Sequence, residues 1–180
     1  MTKSAKNILI LAVILGIAGL STLISRQREV VGVDQVGVVV SPGGKIAVYR
    51  PGDRPLVLPL IQHYVRLTAK PIRYDLTEAK AITVTGSNQQ TATIGCQVRY
   101  QVEDAAKLVA TQGIEAPQNA IELLIHQRLT DEFTTTLQKE NATLDDVQTR
   151  VVLVGSIHHS LKEALSPLGI TILSFDLISW

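Results

Sequence analysis

The side chains that could carry out chemistry in this chain are few, and their spacing decides what they can do. One cysteine and four histidines are present. Nucleophilic hydrolysis needs an exposed Ser or Cys beside a base that a third group orients. Cys96 falls on the apolar side of an alternating strand, where a thiol packs as a small hydrophobe and keeps a high pKa. The run Gly155-Ser156-Ile157-His158-His159 places two histidines next to each other. On a helix they point about 100° apart and do not chelate one ion as a pair. His159 and Glu163 do share a face at i, i+4, which supplies two ligands where a site normally needs three or more. Solvated helix surface is the expected reading. His63 and His126 are isolated. Gly43-Gly44 has neither a Lys-Ser or Lys-Thr pair nor a helix behind it, so it is a hairpin turn and not a phosphate loop. Asn141-Ala142-Thr143 spells a glycosylation acceptor, but its expected use is at a helix start. Catalytic, cofactor and metal residues are therefore all expected to be absent. A tethered hydrolase using Cys96, or the His158, His159 and Glu163 group, is the weakest of the functional readings.

Composition narrows the classes further. A formal net charge of +1 with 4% aromatic residues gives no basic face and no stacking platforms, so nucleic acid is not an expected partner. A single cysteine excludes an intrachain disulfide framework.

The stretch Ile8 to Ile24 is unbroken and apolar, without a charge. At ~1.5 Å per residue its roughly 17 residues span about 26 Å as a helix, slightly short of a ~30 Å hydrocarbon core. Lys6 before it, and Arg26 with Arg28 after it, can snorkel to the headgroups and absorb the deficit. The expectation is a single membrane span, with Ile8, Leu11, Ile14, Leu15, Ile17, Leu20, Leu23 and Ile24 against lipid. A cleaved signal peptide fits less well, because the core is long and only Gly19 with Ser21 offers a cleavage site. A buried core helix is disfavoured by the terminal position and basic flanks. Lys3, Lys6 and the terminal amine precede the span, which slightly favours a cytoplasmic N-terminus with the body on the opposite side.

About 150 residues then remain, enough for one domain or two small lobes sharing a core. The expected class is α+β, a β-rich first lobe over 30–80 and an α/β second lobe over 81–180. Val36 to Val40 is nearly continuous and β-branched, as in a strand buried on both faces. Ser41-Pro42-Gly43-Gly44 is a turn and Lys45 to Tyr49 its hairpin partner. Leu56 to Ile61 is read as an apolar strand interrupted by Pro59. Its Leu56, Leu58, Leu60 and Ile61 are candidates for membrane contact, although burial within the lobe is the expectation. Tyr64 to Ala69, Ile72 to Leu76 and Ala81 to Thr85 are further strands, and Gly86-Ser87-Asn88 a turn. The next strand alternates clearly. Ala92, Ile94, Cys96, Val98, Tyr100 and Val102 face the core, while Thr91, Thr93, Gln97, Arg99 and Gln101 are expected to be wet.

The period then lengthens to about 3.6. Asp104 to Thr111 is a short helix ending at Gly113, and Pro117 opens a longer one to about Leu137 with Ile121, Leu124, Ile125, Leu129 and Phe133 inward. Thr143 with Asp146 resembles a capping box for a third helix. Leu144, Val147, Val151, Val154, Leu161, Leu165 and Leu168 are its expected buried stripe. Ile170 to Ile178 closes the chain as a strand.

In this order the segments resemble the SPFH or Band 7 superfamily, which includes stomatins, prohibitins, flotillins and bacterial regulators of membrane proteases. Val33-Asp34-Gln35-Val36-Gly37-Val38-Val39 is similar to the family's opening strand, and Gly44-Lys45 to the turn after it. Pro51-Gly52 with Leu58-Pro59 resembles its turn and proline-ended apolar strand. Val98 to Asp104 resembles the strand leading into its helices, and Gly169-Ile170 the closing glycine and strand. The resemblance implies a membrane-anchored scaffold without enzymatic activity or cofactor. Its lobes would lie against the bilayer and associate side by side as homo-oligomers or with a longer SPFH paralogue. An accessory subunit restraining a membrane protease is the alternative. The sequence departs from the family in stopping at Trp180, before the usual coiled coil, and in lacking an acidic residue in the turn Gly86 to Gln90.

Overall fold

The computed structural model describes residues 29–58, 61–86, 91–115, 117–139 and 144–180. The apolar run Ile8 to Ile24 lies outside the described residues. Among the described residues no helix is long and apolar enough to cross a membrane. Their architecture is α+β, with antiparallel strands and three helices among the described residues.

The first sheet places β1 (Gln35–Val40) between β2 (Ile46–Tyr49) and β3 (His63–Thr68). Burial on both faces of β1 explains its unbroken valines. Val38 belongs to the main core. On the other face Val31 sits over Gly37, so close that a β-carbon there would meet it at 2.9 Å. Val31, Val39 and Val57 are buried apart from the main cluster. The expected strand from Leu56 to Ile61 is absent among the described residues of that segment, which form an irregular strap. Pro55 and Pro59 bracket it in sequence, and neither can donate to a ladder.

The second sheet is built around β6 (Thr91–Val102). Along one side run β4 (Ile72–Leu76) and then β5 (Ile82–Thr85), end to end, separated by a 3-10 turn at Glu78–Lys80. Along the other side runs β7 (Ile170–Ser179). The strand β4 thus joins the second sheet although it precedes residue 81. The ladder to β7 slips twice, between Gly95 and Cys96 and between Arg99 and Tyr100, and the extra residues Ile178 and Leu173 are exposed. Such bulges bend an edge strand and discourage uncontrolled pairing.

The inward alternation of β6 is as expected, with Ile94, Cys96, Val98 and Tyr100 all at 0% exposure. Gln97 departs from the expected wet face and is buried. It lies between the carboxylates of Asp75 and Asp176 on the neighbouring strands, and its amide oxygen faces the Arg73 guanidinium. Hydrogen bonding within that row offsets the burial.

The helices cover the apolar face. In α1 (Ala105–Gln112) the Asp104 side chain caps the first turn, accepting from the Lys107 N–H at 2.9 Å. This helix also touches β1 and β2, so Val38 and Leu67 of the first sheet share one core with the second. In α2 (Pro117–Leu137) a four-residue spacing buries Ile121, Ile125, Leu129, Phe133 and Leu137, leaving Leu124 half-buried. Full burial of each such side chain contributes about 1.5–3 kcal/mol.

In α3 (Val147–Leu165) the cap is Asp146 alone, accepting from the Thr149 N–H at 2.8 Å and its hydroxyl at 2.7 Å. Thr143, expected to share that role, lies outside the described residues. The buried stripe of α3 also differs from expectation. Leu153, Ile157, Leu161 and Leu165 take it, Val147 and Val151 are exposed, and Val154 is half-buried. Larger side chains at i, i+4, i+8 and i+12 gain more from burial than valines one stripe away. Trp180 ties the end of β7 back to the start of α3, with Arg150 stacked 4.5 Å from its ring and its indole N–H donating to Asp145 at 3.3 Å.

Gly169 joins the helical layer to β7 at φ 76°, and its carbonyl accepts from the N–H groups of Glu103 and Asp104 at 2.9 and 3.0 Å. A β-carbon there would meet the Asp104 carbonyl oxygen at 2.6 Å. Gly169→Ala is expected to cost at least about 1–3 kcal/mol, measured as a lowered midpoint in chemical denaturation. An unchanged midpoint would show that the junction relaxes freely.

Candidate functional site

The reactive side chains are spread over separate elements, with His159 and Glu163 neighbours on one of them. Cys96 is fully buried in β6, opposite Leu76 and Leu177, and burial pushes its thiol up to about 12. A protonated thiol between leucines is not a nucleophile. His159 Nε2 stands 3.3 Å from Glu163 Oε1 on α3, with side chains 74% and 72% exposed. No group of three or more potential metal ligands occurs among the described residues. His158 and His63 are exposed on different elements, and His126 stays within its own helix, 3.5 Å from the Thr130 hydroxyl. The Ser156 hydroxyl donates to Glu132 at 2.7 Å, a link between α3 and α2.

One polar feature escaped the sequence reading. Tyr100 is fully buried and its hydroxyl makes no hydrogen bond. Burial raises its pKa, with Glu122 and Tyr74 adding to the shift. Tyr74 is raised for the same first cause. Both phenols stay neutral and give the interior no acid or base near neutral pH. Alternation along β6 does show Tyr100 facing inward; nothing in the sequence shows whether its hydroxyl finds a partner.

Across the sheet, the polar face carries hydrogen bonds among its own side chains. The Thr77 hydroxyl, followed by the Arg73 guanidinium, holds the Asp75 carboxyl below the usual carboxylate range. Arg73 and Asp75 form an exposed pair at 3.1 Å.

The surface of the first lobe offers a different chemistry. Leu56, Leu58 and Ile61 are 44%, 40% and 54% exposed, against the expectation of burial. Only Val57 of that strap turns fully inward among its described apolar residues, leaving its neighbours outward. Leu60 lies outside the described residues. The Ile61 and Gln62 N–H groups donate to the Leu58 carbonyl at 3.0 and 2.8 Å. The Gln62 amide donates to Ser41 at 3.0 Å, tying the strap to the end of β1. The start of the strap is bound to the first described residues, Val31 N–H donating to Asp53 at 3.1 Å and Gly52 N–H to Val31 at 2.9 Å. Val30 and Val33 there are 52% and 86% exposed. Ion pairs of Glu29 with Arg66, and of Asp34 with Lys70 at 2.8 Å, flank them.

Three antiparallel strands with β1 in the middle, where a meander in chain order was the expectation, then a long central strand flanked on both sides, a helical layer and a closing strand after Gly169 make up one α+β arrangement. The chain belongs to the SPFH domain / Band 7 family, whose match covers residues 29–179. Comparison with curated proteins gives no significant match.

The burial of Cys96 makes a direct test of its own reactivity. At pH 8 the folded protein is expected to react with iodoacetamide on the order of a thousandfold more slowly than the urea-unfolded chain, from the thiolate population alone. Fast labelling of the folded protein would show that Cys96 is reachable and reactive.

Proposed function

We propose that this protein is a membrane-anchored scaffold that associates laterally and confines particular lipids or membrane proteins within its assembly, with no catalysis of its own. The observation that carries the reading is the exposed apolar group Leu56, Leu58 and Ile61, on a strap tied to the first residues after the apolar run. Exposed leucine and isoleucine on a hydrogen-bonded strap favour contact with a bilayer or a partner surface. A span at Ile8 to Ile24 would hold the first sheet within a few residues of the headgroups. The strap then dips its side chains without having to supply the whole binding energy. The proposed topology is a cytoplasmic N-terminus with the lobes on the opposite side. The partners are the bilayer and further copies, or a longer paralogue of the same family.

Two measurements on the full chain test this. Ile61→Cys carrying a fluorophore is expected to be quenched by nitroxide-labelled lipids after reconstitution, while the same label at Glu163→Cys is not. Equal, weak quenching at both sites would remove the strap from the bilayer. Crosslinking in native membranes and native mass analysis after gentle extraction are expected to give a large homomeric particle. A one-to-one complex with a membrane protease would instead support an accessory subunit.

A further inference from the structure

The exposed flank of α3 contradicts what its own chain can use. Val147 and Val151 are 63% and 62% exposed, although β-branched residues on a solvated helix face are poorer helix formers than alanine. Gly155, in mid-helix, continues the line from Val147 and Val151, and a β-carbon there would meet nothing within 4 Å. Glycine in an exposed helix interior is also unfavourable. Three locally poor choices along one line of the helix suit a surface that another helix approaches closely.

The position of that flank identifies what approaches it. Within the chain, α3 and α2 meet through Ser156 and Glu132. Nine residues at about 100° each make half a turn, so Val147, nine before Ser156, points away from α2. Leu123, nine before Glu132, points away from α3 by the same rule, and at 70% exposure it is the most exposed large apolar residue of either helix. The two helices thus form a layer with a glycine-floored apolar flank on one side and a protruding leucine on the other. Charge matches in the same sense. On α2, Glu122 and Asp131 lie about 100° and 80° round the helix from Leu123, to either side of it, with Arg128 turned further away, whereas on α3 Lys162 lies on the same line as the valines.

We infer that the flank of α3 at Val147, Val151 and Gly155 receives Leu123 of a second copy of this chain. The helical layer then continues from copy to copy by a head-to-tail contact. Such a heterologous contact uses two different surfaces of each copy, and its repetition gives a ring or a row. The inference rests on the scaffold reading and names the surfaces through which the copies meet.

The test uses the full chain in native membranes. Leu123→Cys and Gly155→Cys are co-expressed on separately tagged chains and mildly oxidised; the buried Cys96 is common to both. The expected result is a disulfide-linked dimer carrying both tags, with neither single variant linking alone, and a ladder of higher oligomers from the double variant. Self-linking by Gly155→Cys alone would overturn the inference in favour of a two-fold contact between α3 helices. A large particle by native mass without the mixed disulfide would overturn this contact, leave the scaffold reading standing and assign the flank to another protein. A monomer in native membranes would overturn both. Leu123→Glu is expected to reduce the assembled fraction at least tenfold with an unchanged thermal midpoint. Full assembly of that variant would also overturn the inference.

Discussion

The structure depends on β6, the strand of the second sheet that is hydrogen-bonded on both sides. Its position fixes the rest. With β4 and β5 along one side and β7 along the other, its inward residues Ile94, Cys96, Val98 and Tyr100 form a floor that only a helical layer can seal. The helices supply that layer through four-residue stripes of large apolar side chains. Gly169 lets the chain leave the layer and return as β7 beside β6. Because Val38 and Leu67 contribute to the same core, the first sheet is held to the second through α1.

How much of this was legible follows from how each signal arises. Period-two alternation over Ala92 to Val102 is a one-body signal, in which each residue reports its own face, and it placed β6 and its inward side correctly. Helix α2 was equally legible, since Ile121, Ile125, Leu129 and Phe133 leave one consistent face. Helix α3 carries two competing apolar lines, Val147-Val151 and Leu153-Ile157-Leu161-Leu165, and periodicity cannot rank them without knowing which faces the sheet. Gln97 was misread for a related reason. Its burial is a pairwise effect of Asp75, Arg73 and Asp176 on neighbouring strands, and nothing in β6 alone contains it. The strap from Pro55 onwards failed as a strand because its apolar residues suggested pairing while the prolines removed the donors that pairing requires.

The chemistry of the candidate site is legible mainly as separation. Cys96, the histidines and Glu163 occupy a buried strand, a strand end and two helix surfaces. Activation of a nucleophile requires groups within hydrogen-bond reach of one another. What the surface presents instead is exposed apolar side chains, among them the strap on the first sheet and the flank of α3. In the proposed scaffold these serve different contacts. The strap adds to a lipid-facing anchor, and the flank meets a neighbouring protein.

Those two contacts reinforce each other physically. A lone interface of a few valines and one leucine would be weak between chains diffusing freely in three dimensions, because association must offset the loss of translational and rotational freedom. Chains held to one bilayer, with their helical layers at a common height, have already lost much of that freedom, and the effective concentration of each flank for its neighbour rises accordingly. Modest lateral contacts then suffice for a large assembly. Exposed valines at Val147 and Val151, and a glycine at Gly155, would give a freely diffusing protein little affinity for a second copy. On an anchored one they fit an interface that closes in the membrane and remains weak away from it.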